Sequence, residues 1–371
     1  ACGCVSGREG PETNERTNPK MSRLPFHLLF FMGLAAGPVV VDPATGIVTP
    51  DFLASEQLFY EQLAKPHFSS QQMEYIDGAS STVLRNPYSI LHSGLDELFV
   101  ASFTLNHVVR LRWMTGKRAQ YKVFASGKEL DGPVGMALHR GALFIASFTN
   151  DLVLRVNATS GELLGRIGSD ETLDCPEGIA IGPDGVLYVA SFLLPHLSMF
   201  DPESGAYLGK FGASAGTSVA FASTKTPGPS LRGAEDLTFD LLGDVHVTAY
   251  YSNAIFKFNG TNGQIVSSYG KGFVNGPVGI TCDRASGHIF VSSYKDHKVL
   301  RFSPLGQFIG VAAGAPMEQQ RKLGDPNAPI RNPSGLAFAE DGTLWVASYP
   351  TGAITRFNNS AATGRTWRVV D

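Results

Sequence analysis

Charged residues are scarce in this chain of 371 residues: they make up 17% of it and nearly cancel to a formal net charge of −3. Proteins that bind nucleic acid through its phosphates usually carry a marked excess of lysine and arginine. We therefore expect no nucleic acid among the partners. The hydrophobic fraction of 43% is large enough to build a sizeable core, which excludes global disorder.

Cysteine is also rare. Cys2 and Cys4 lie in a polar leader, and Cys175 and Cys282 lie in the body of the chain. Two body cysteines do not make a disulfide scaffold. A Cys-x-Cys pair near a terminus can bind a metal ion, but no second cluster completes such a site in the sequence.

Long hydrophobic runs are absent as well. The nearest approach falls within residues 21–37, where Arg23 precedes a short apolar stretch and small residues follow it. This order is typical of a secretory signal peptide, and the stretch is too short to span a bilayer comfortably. We expect a secreted or extracytoplasmic product with no membrane span after cleavage; a buried strand is the alternative. Residues 1–20 precede this segment as a polar leader of unclear status.

Residues 38–85 form an N-terminal extension in which one helix is expected. Residues 51–64 (DFLASEQLFYEQLA) place Phe52, Phe59 and Leu63 at near-helical spacing. An aspartate can cap the start of this segment, and a proline follows its end. The pattern predicts a short amphipathic helix that packs on the outside of the main domain.

The rest of the chain, residues 86–371, is built from one repeat. An aromatic residue or histidine, a β-branched residue, two small residues and a second aromatic residue recur six times. The copies are FVASF ending at 103, FIASF at 148, YVASF at 192, HVTAY at 250, FVSSY at 294 and WVASY at 349. A period in the forties is typical of propeller blades made of four short strands. We predict an all-β fold, a six-bladed β-propeller of four-stranded antiparallel blades, with the N-terminal helix beside it.

The blade resembles the NHL repeat and its relatives, the regucalcin/gluconolactonase-like and virginiamycin-lyase-like propellers. The resemblance rests on Pro-x-Gly inner strands such as Pro176-Glu177-Gly178, on Asp-Gly hairpin turns, and on third strands that end in Arg-Phe, as at Arg301-Phe302. It covers about three quarters of the chain. The second strands end in Ala-Ser-aromatic rather than in the common Ala-Asp-Ser/Thr, which weakens any transfer of a subfamily's ligand.

The resemblance implies that the middle residue of each Pro-x-Gly segment lies at the mouth of the central channel. This position and one acidic neighbour supply the ligand-binding candidates Tyr88, Glu177, Glu235, Asp236 and Ser334. Regucalcin-like lactonases hold a divalent ion there with a glutamate, an asparagine and an aspartate. Glu177 and Glu235 are accordingly the candidate ligands of a divalent ion such as calcium. The alternative is a pair of solvated or hydrogen-bonded glutamates.

Other recurring residues are expected to serve the fold. A serine repeats with the blade, whereas a nucleophile would occur once; the copies are Ser102, Ser147, Ser191, Ser293 and Ser348. The six closing aromatic residues are expected to pack between blades rather than to stack on a ligand. His107, His196 and His297 lie in loops of three non-adjacent blades, which argues against a shared ligand.

Surface features indicate recognition or processing outside the cell. Insertions at 212–231 and 313–331 join successive blades on the face of the mouth, where long loops either bind partners or vary freely. Three sequons are glycosylation candidates if the protein is exported, although turn chemistry explains the same residues; they begin at Asn157, Asn259 and Asn358.

One point of topology is open. The last blade takes its outer strand either from Thr366–Val370 or from residues 73–85.

Two functions are compatible with these features. The first is a monomeric, secreted binding or interaction module that takes a protein or small-molecule ligand at its mouth and long loops; a structural extracellular component is a variant of it. The alternative is a metal-dependent hydrolase of the gluconolactonase or arylesterase type, with its ion at Glu177 and Glu235. Enzymatic activity is the less favoured of the two.

Overall fold

Each copy of the repeat folds into a four-stranded antiparallel sheet, and the six sheets form blades 1 to 6 of a propeller, as predicted. The computed structural model describes residues 83–94, 97–112, 120–212, 231–314 and 330–357, and the backbone of 73–76. The leader, the signal segment, the helix expected over 51–64, Asn358 and most of both insertions lie outside the described residues.

The strands are numbered along the chain, beginning with β1 (Met73–Ile76). Blade 1 contains β2 (Pro87–Gly94), β3 (Glu97–Ser102), β4 (His107–Arg112) and β5 (Gln120–Ser126). Blade 2 contains β6 (Pro133–His139), β7 (Ala142–Ser147), β8 (Leu152–Asn157) and β9 (Leu163–Ile167). Blade 3 contains β10 (Pro176–Ile181), β11 (Leu187–Ser191), β12 (Leu197–Phe200) and β13 (Tyr207–Phe211).

Blade 4 contains β14 (Ala234–Phe239), β15 (Val245–Ala249), β16 (Ala254–Phe258) and β17 (Ile265–Tyr269). Blade 5 contains β18 (Pro277–Cys282), β19 (Ile289–Ser293), β20 (Lys298–Phe302) and β21 (Phe308–Gly314). Blade 6 contains β22 (Pro333–Phe338), β23 (Leu344–Ser348) and β24 (Ala353–Phe357). Short 3₁₀ turns occur at Phe103–Leu105, Phe148–Asn150 and Tyr294–Asp296. Within the described ranges no helix is long and apolar enough to cross a membrane.

The hydrophobic core is divided among the borders between blades. The first four residues of every repeat copy lie in the second strand of the blade and are buried. The buried residues fall into six clusters, each of which joins one blade to the next. The large first residue, such as Phe99 or Phe144, packs against the neighbouring blade. Full burial of such a side chain contributes about 1.5–3 kcal/mol.

The recurring serines serve the fold, as predicted. Ser147 is fully buried, and its Oγ accepts the N–H of Asp131 at 2.9 Å and lies 3.1 Å from the Asp131 carbonyl oxygen. The equivalent bond, to the N–H two residues before the inner strand, is made by Ser102, Ser191, Ser293 and Ser348. Each serine therefore fixes the segment that leads into its inner strand.

The glycine of Pro-x-Gly is needed because neighbouring inner strands approach backbone to backbone. A Cβ on Gly135 would overlap the carbonyl oxygen of Glu177 and lie 2.9 Å from the Cα of Gly178. In blades 1 and 4 the glycine is replaced, by Ser89 and Asp236. These two blades face each other across the ring.

A second set of contacts joins the blades on the face of the mouth. The residue before each inner strand has a left-handed backbone, with φ between 44° and 67°; the six are Asn86, Gly132, Cys175, Gly233, Gly276 and Asn332. Four of these residues donate their N–H to a loop side chain of the preceding blade, which is Asn106, Asp151, Asn253 or His297. The contact of Asp151 with Cys175 also explains why the possible ligand atoms of Asp151, Asp174 and Cys175 lie within 4.8 Å of one another.

The ring is closed by an N-terminal strand. β1 pairs antiparallel with β24, with Met73 opposite Phe357 and Ile76 opposite Ile354. Blade 6 therefore takes its outer strand from the segment before the repeats, the second of the two alternatives. Thr366–Val370 lies outside the described residues.

Blade 4 departs from the repeat at the end of the blade opposite the mouth. The buried His246 takes the first position of the repeat in its second strand, where an aromatic residue stands in the other copies. The Nε2 atom of His246 lies 3.1 Å from Asp240 Oδ2, and Nδ1 lies 2.8 Å from Tyr269 Oη. Lys257 Nζ lies 2.9 Å from the same oxygen of Asp240. Because burial lowers the pKa of His246, the neutral ring donates to Asp240 and accepts from Tyr269.

Candidate binding site at the channel mouth

Three side chains from different blades meet where the inner strands begin. Tyr88, Glu177 and Glu235 are the second residues of β2, β10 and β14, in blades 1, 3 and 4. The hydroxyl of Tyr88 donates a hydrogen bond of 2.6 Å to Glu235 Oε2. Since blades 1 and 4 are opposite each other in a ring of six, this side chain crosses the channel mouth.

Burial controls the protonation of this group. Glu177 and Glu235 are only 4% and 5% exposed. Burial raises the pKa of Glu235 to about 8; the bond from Tyr88 opposes this rise, and the charge of Asp236 adds to it. The pKa of Tyr88 lies well above its ordinary value of 10.0 because of burial and of its interactions with both glutamates. At pH 7 Glu235 is therefore mainly protonated, and Tyr88 is a neutral phenol.

Asp236 is a third acid beside this pair. Its Oδ2 accepts the N–H of Ile280 in blade 5 at 3.1 Å, and its Oδ1 accepts the N–H of Leu237 at 2.8 Å. Burial raises the pKa of Asp236 to about 7 although both bonds oppose the rise. Asp236 thus joins blades 4 and 5 and places a second carboxyl group next to Glu235, whose pKa its charge raises.

The remaining Pro-x-Gly positions add no polar group to this cluster. Ser334 is fully buried, and its hydroxyl donates at 2.9 Å to the carbonyl oxygen of Pro87 in blade 1. Val134 is buried in the cluster between blades 2 and 3, and Val278 is also buried. The structure therefore brings four of the five candidates together and uses the hydroxyl of Ser334 to join blades 6 and 1.

Aromatic side chains surround the acids. We define the mouth collar as the six closing aromatic residues, all half-buried: Phe103, Phe148, Phe192, Tyr250, Tyr294 and Tyr349. The ring centroid of Phe103 lies 6.1 Å from those of Phe148 and Tyr349. A Cβ on Gly132 of the next blade would lie 3.1 Å from the ring of Phe103. These residues pack across blade borders, as predicted, and part of each side chain stays exposed.

The mouth collar lies within electrostatic range of the acids. Its residues are phenylalanine in blades 1 to 3 and tyrosine in blades 4 to 6. Burial raises the pKa of Tyr294 to about 12, and the neighbouring tyrosines and Glu235 add to the rise. After burial, the charge of Glu235 raises the pKa of Tyr250, and the charge of Glu177 raises that of Tyr349. The sequence pattern alone had indicated only packing for these residues.

The residues at the mouth do not fit the divalent ion that the resemblance implies. A hard cation such as calcium takes six or more oxygen ligands. The Tyr88 hydroxyl donates to Glu235 and also interacts with Glu177, so the phenol competes with an ion for both carboxylates. Both carboxylate oxygens of Asp236 accept backbone N–H groups. Tyr88, Glu235 and Asp236 are thus held by hydrogen bonds in the described arrangement.

The three loop histidines have separate surroundings. His107 Nε2 lies 2.6 Å from the carbonyl oxygen of Val83, and His297 Nδ1 accepts the N–H of Asn332. His196 is buried, and burial followed by the charge of Lys210 lowers its pKa to about 4. The structure does not bring these histidines together.

Two of the three sequons lie in described turns. Asn157 Oδ1 accepts the N–H groups of the residues two and three positions later, and Asn259 does the same. Asp201 makes the equivalent turn in blade 3. Turn geometry therefore accounts for both asparagines whether or not they carry a glycan.

No protein-family model matches the sequence, and no curated protein matches it. Among solved structures, virginiamycin B lyase from Staphylococcus aureus with quinupristin is 14% identical over 77% of this chain and 99% of that chain, with a TM-score of 0.53. A streptogramin B lyase is 14% identical over 77% of this chain and 97% of that chain, with a TM-score of 0.52. A chain of a nidogen/laminin complex is 16% identical over 72% of this chain and 91% of that chain, with a TM-score of 0.53.

Likeness at this level of identity shows the fold and no activity. It agrees with the six described blades and with the repeat in the sequence. The chain is a six-bladed β-propeller similar to those of virginiamycin B lyase and a nidogen/laminin complex, in line with the NHL-type and lyase-like resemblance of its blades.

Proposed function

We propose that this propeller is a binding module whose ligand occupies the channel mouth, inside the mouth collar and above Glu177 and Glu235. The supporting observation is the cluster of buried acids, bonded to Tyr88, where the inner strands begin inside the mouth collar. Burial of carboxyl groups that must take up a proton reduces the stability of the folded state. Groups with strongly perturbed pKa values that lie in a concave opening are frequent at functional sites.

Sequence features outside the mouth suggest where this binding takes place and which loops contribute to it. A signal segment at 21–37 would place the protein outside the cytoplasm, where Asn157, Asn259 and Asn358 could carry glycans. The insertions at 212–231 and 313–331 connect blade 3 to blade 4 and blade 5 to blade 6, and would extend the recognition face. The two neighbours with partners, the lyase with quinupristin and nidogen with laminin, support a binding role for the fold without indicating the ligand.

A metal-dependent lactonase-like hydrolase has less support. Such an enzyme would need an ion held by Glu177 and Glu235, and the position of the Tyr88 hydroxyl disfavours one. If calcium nevertheless binds there, its stabilisation of the fold should disappear in Glu177→Gln. We therefore keep binding as the proposed function.

The binding function can be tested with a panel of small organic cations, organic anions, neutral sugars and random hexapeptides. We expect at least one class to bind the full chain, as detected by saturation-transfer-difference NMR. Binding should be lost in Tyr349→Leu, because this ring belongs to the mouth collar. It should persist in Tyr121→Leu, whose ring is 53% exposed on an outer strand. Absence of binding by every class, or binding that survives Tyr349→Leu, contradicts the proposal.

A further inference from the structure

The exposed parts of the mouth collar form a ring of aromatic groups directly around buried acids. Resting on the binding function proposed above, we propose that the group recognised at the mouth is an organic cation, an ammonium or guanidinium carried by a larger ligand. Three observations lead to this inference: the aromatic faces, the sign of the charge on the channel axis, and the position of Tyr88.

The first observation is that a collar ring already holds a cation of this chain. Lys295 Nζ lies 4.9 Å from the ring centroid of Tyr250, within the range of a cation–π contact. Lys295 itself is exposed. The negative face of an aromatic ring attracts ammonium and guanidinium groups, and several such rings together are a common way of binding them.

The second observation is the charge on the axis. The residues two positions before the inner strands carry both signs around the rim; they are Arg85, Asp131, Asp174, Arg232, Asn275 and Arg331. Where the inner strands begin, by contrast, the groups that meet are the acids Glu177 and Glu235 and the phenol of Tyr88, and Asp236 lies beside them at the border of blades 4 and 5. A positive group at the centre of the collar is therefore favoured over a negative one.

The third observation separates an organic cation from a metal ion. The Tyr88 hydroxyl interacts with both glutamates, so we expect a ligand to bind over Tyr88 and beside the rings of Phe103 and Tyr349, whose centroids lie 5.9 Å from that of Tyr88. Aromatic rings cannot replace the oxygen ligands that calcium loses with its water. An alkylammonium or guanidinium group is more weakly hydrated than calcium, so it loses its water more easily. The faces of aromatic rings can then contact it directly.

The binding of an organic cation should also change the protonation of Glu235. A cation above the axis favours the ionised form of Glu235, so its binding should release a proton. Since the pKa of Glu235 in the free protein is about 8, the affinity for the cation should increase as the pH rises from 6 to 9. A neutral ligand should show no such increase.

The experiment compares choline with its uncharged isostere, 3,3-dimethylbutan-1-ol, by NMR titration of the full chain at pH 8.5. We expect choline to bind at least fivefold more tightly than the alcohol. Tyr250→Leu should weaken choline binding at least fivefold, and Tyr121→Leu, outside the collar, should not change it. Glu235→Gln should reduce the increase in affinity between pH 6 and pH 9 and leave only the part due to Asp236, whose pKa of about 7 places its ionisation at lower pH.

The outcomes distinguish this inference from the broader function. Equal affinity for choline and the alcohol, both lost in Tyr349→Leu, would overturn the cationic ligand and leave the mouth as a binding site. Loss of all binding at the mouth would overturn both proposals. Calcium that binds with dependence on Glu177 and displaces choline would show a metal site instead. If a variant fails to fold, two measurements on the unaltered protein still test the proposal. These are the comparison of choline with the alcohol and the pH dependence of choline binding.

Discussion

Replacement of Glu235 by glutamine is expected to raise the free energy of unfolding at pH 8.5 by up to about 5 kcal/mol, since the folded-state and ordinary pKa values differ by about 3.5 and one pKa unit corresponds to about 1.4 kcal/mol. The folded-state pKa of about 8 lies above the ordinary value of 4.5. The protonated Glu235 therefore contributes its full stabilisation of the folded state below pH 4.5, and this stabilisation is lost as the pH rises through 8. Glutamine resembles the protonated acid and does not ionise, so the variant keeps that stability.

Urea denaturation at pH 4.5 and pH 8.5 checks this expectation. The two proteins should differ little at pH 4.5, by less than about 1 kcal/mol. Glu162→Gln is the matched control, because Glu162 lies exposed in the turn between β8 and β9; surface changes of this kind shift stability by less than about 0.5 kcal/mol. A Glu235→Gln variant that is no more stable than the unaltered protein at pH 8.5 would mean that the carboxyl group is not buried at the mouth.

Gly135→Ala is expected to destabilise the propeller by about 3 kcal/mol or more, which is at or above the usual cost of overpacking a core. The new methyl group would overlap the carbonyl oxygen of Glu177 and lie 2.8 Å from the backbone nitrogen of Ile179. Both atoms belong to the backbone of the next inner strand and cannot rotate away. The two strands would have to separate at the mouth, where the ring depends on their contact.

The control for this change lies in the same blade. Gly165 is in the outer strand β9, and a Cβ there would meet nothing within 4 Å. Neither Gly135 nor Gly165 has a left-handed backbone, so the two alanines differ only in their surroundings. Thermal unfolding of both variants should show a large loss for Gly135→Ala and a change of less than about 1 kcal/mol for Gly165→Ala. Similar losses in both would argue against close packing of the inner strands.

Repetition is the reason that so much of the fold could be predicted. A serine present at one position in five of six copies has to serve the blade, and Ser147 does so by fixing Asp131. The number of blades followed from the number of copies in the same way. The second residue of each Pro-x-Gly segment was assigned to the mouth through the family resemblance, and Tyr88, Glu177 and Glu235 are found there.

Features that break the repeat could not be predicted in the same way. The bond between Tyr88 and Glu235 joins blades that are opposite each other, and no pattern along the chain shows how far a side chain reaches across a channel. Ser334 occupies the same repeat position as Glu235, yet its shorter side chain donates to the neighbouring backbone. The closing strand β1 is only four residues long, too short for its pattern to identify it.

The most direct test of the account is a titration of Glu235 itself. In protein labelled with ¹³C at the glutamate carboxyl carbon, the signal assigned through Glu235→Gln should titrate near pH 8. Removal of the opposing hydroxyl in Tyr88→Phe should raise that midpoint further, because its hydrogen bond lowers the pKa of Glu235. A midpoint near the ordinary value of 4.5, unchanged by Tyr88→Phe, would contradict a buried acid bonded across the channel mouth.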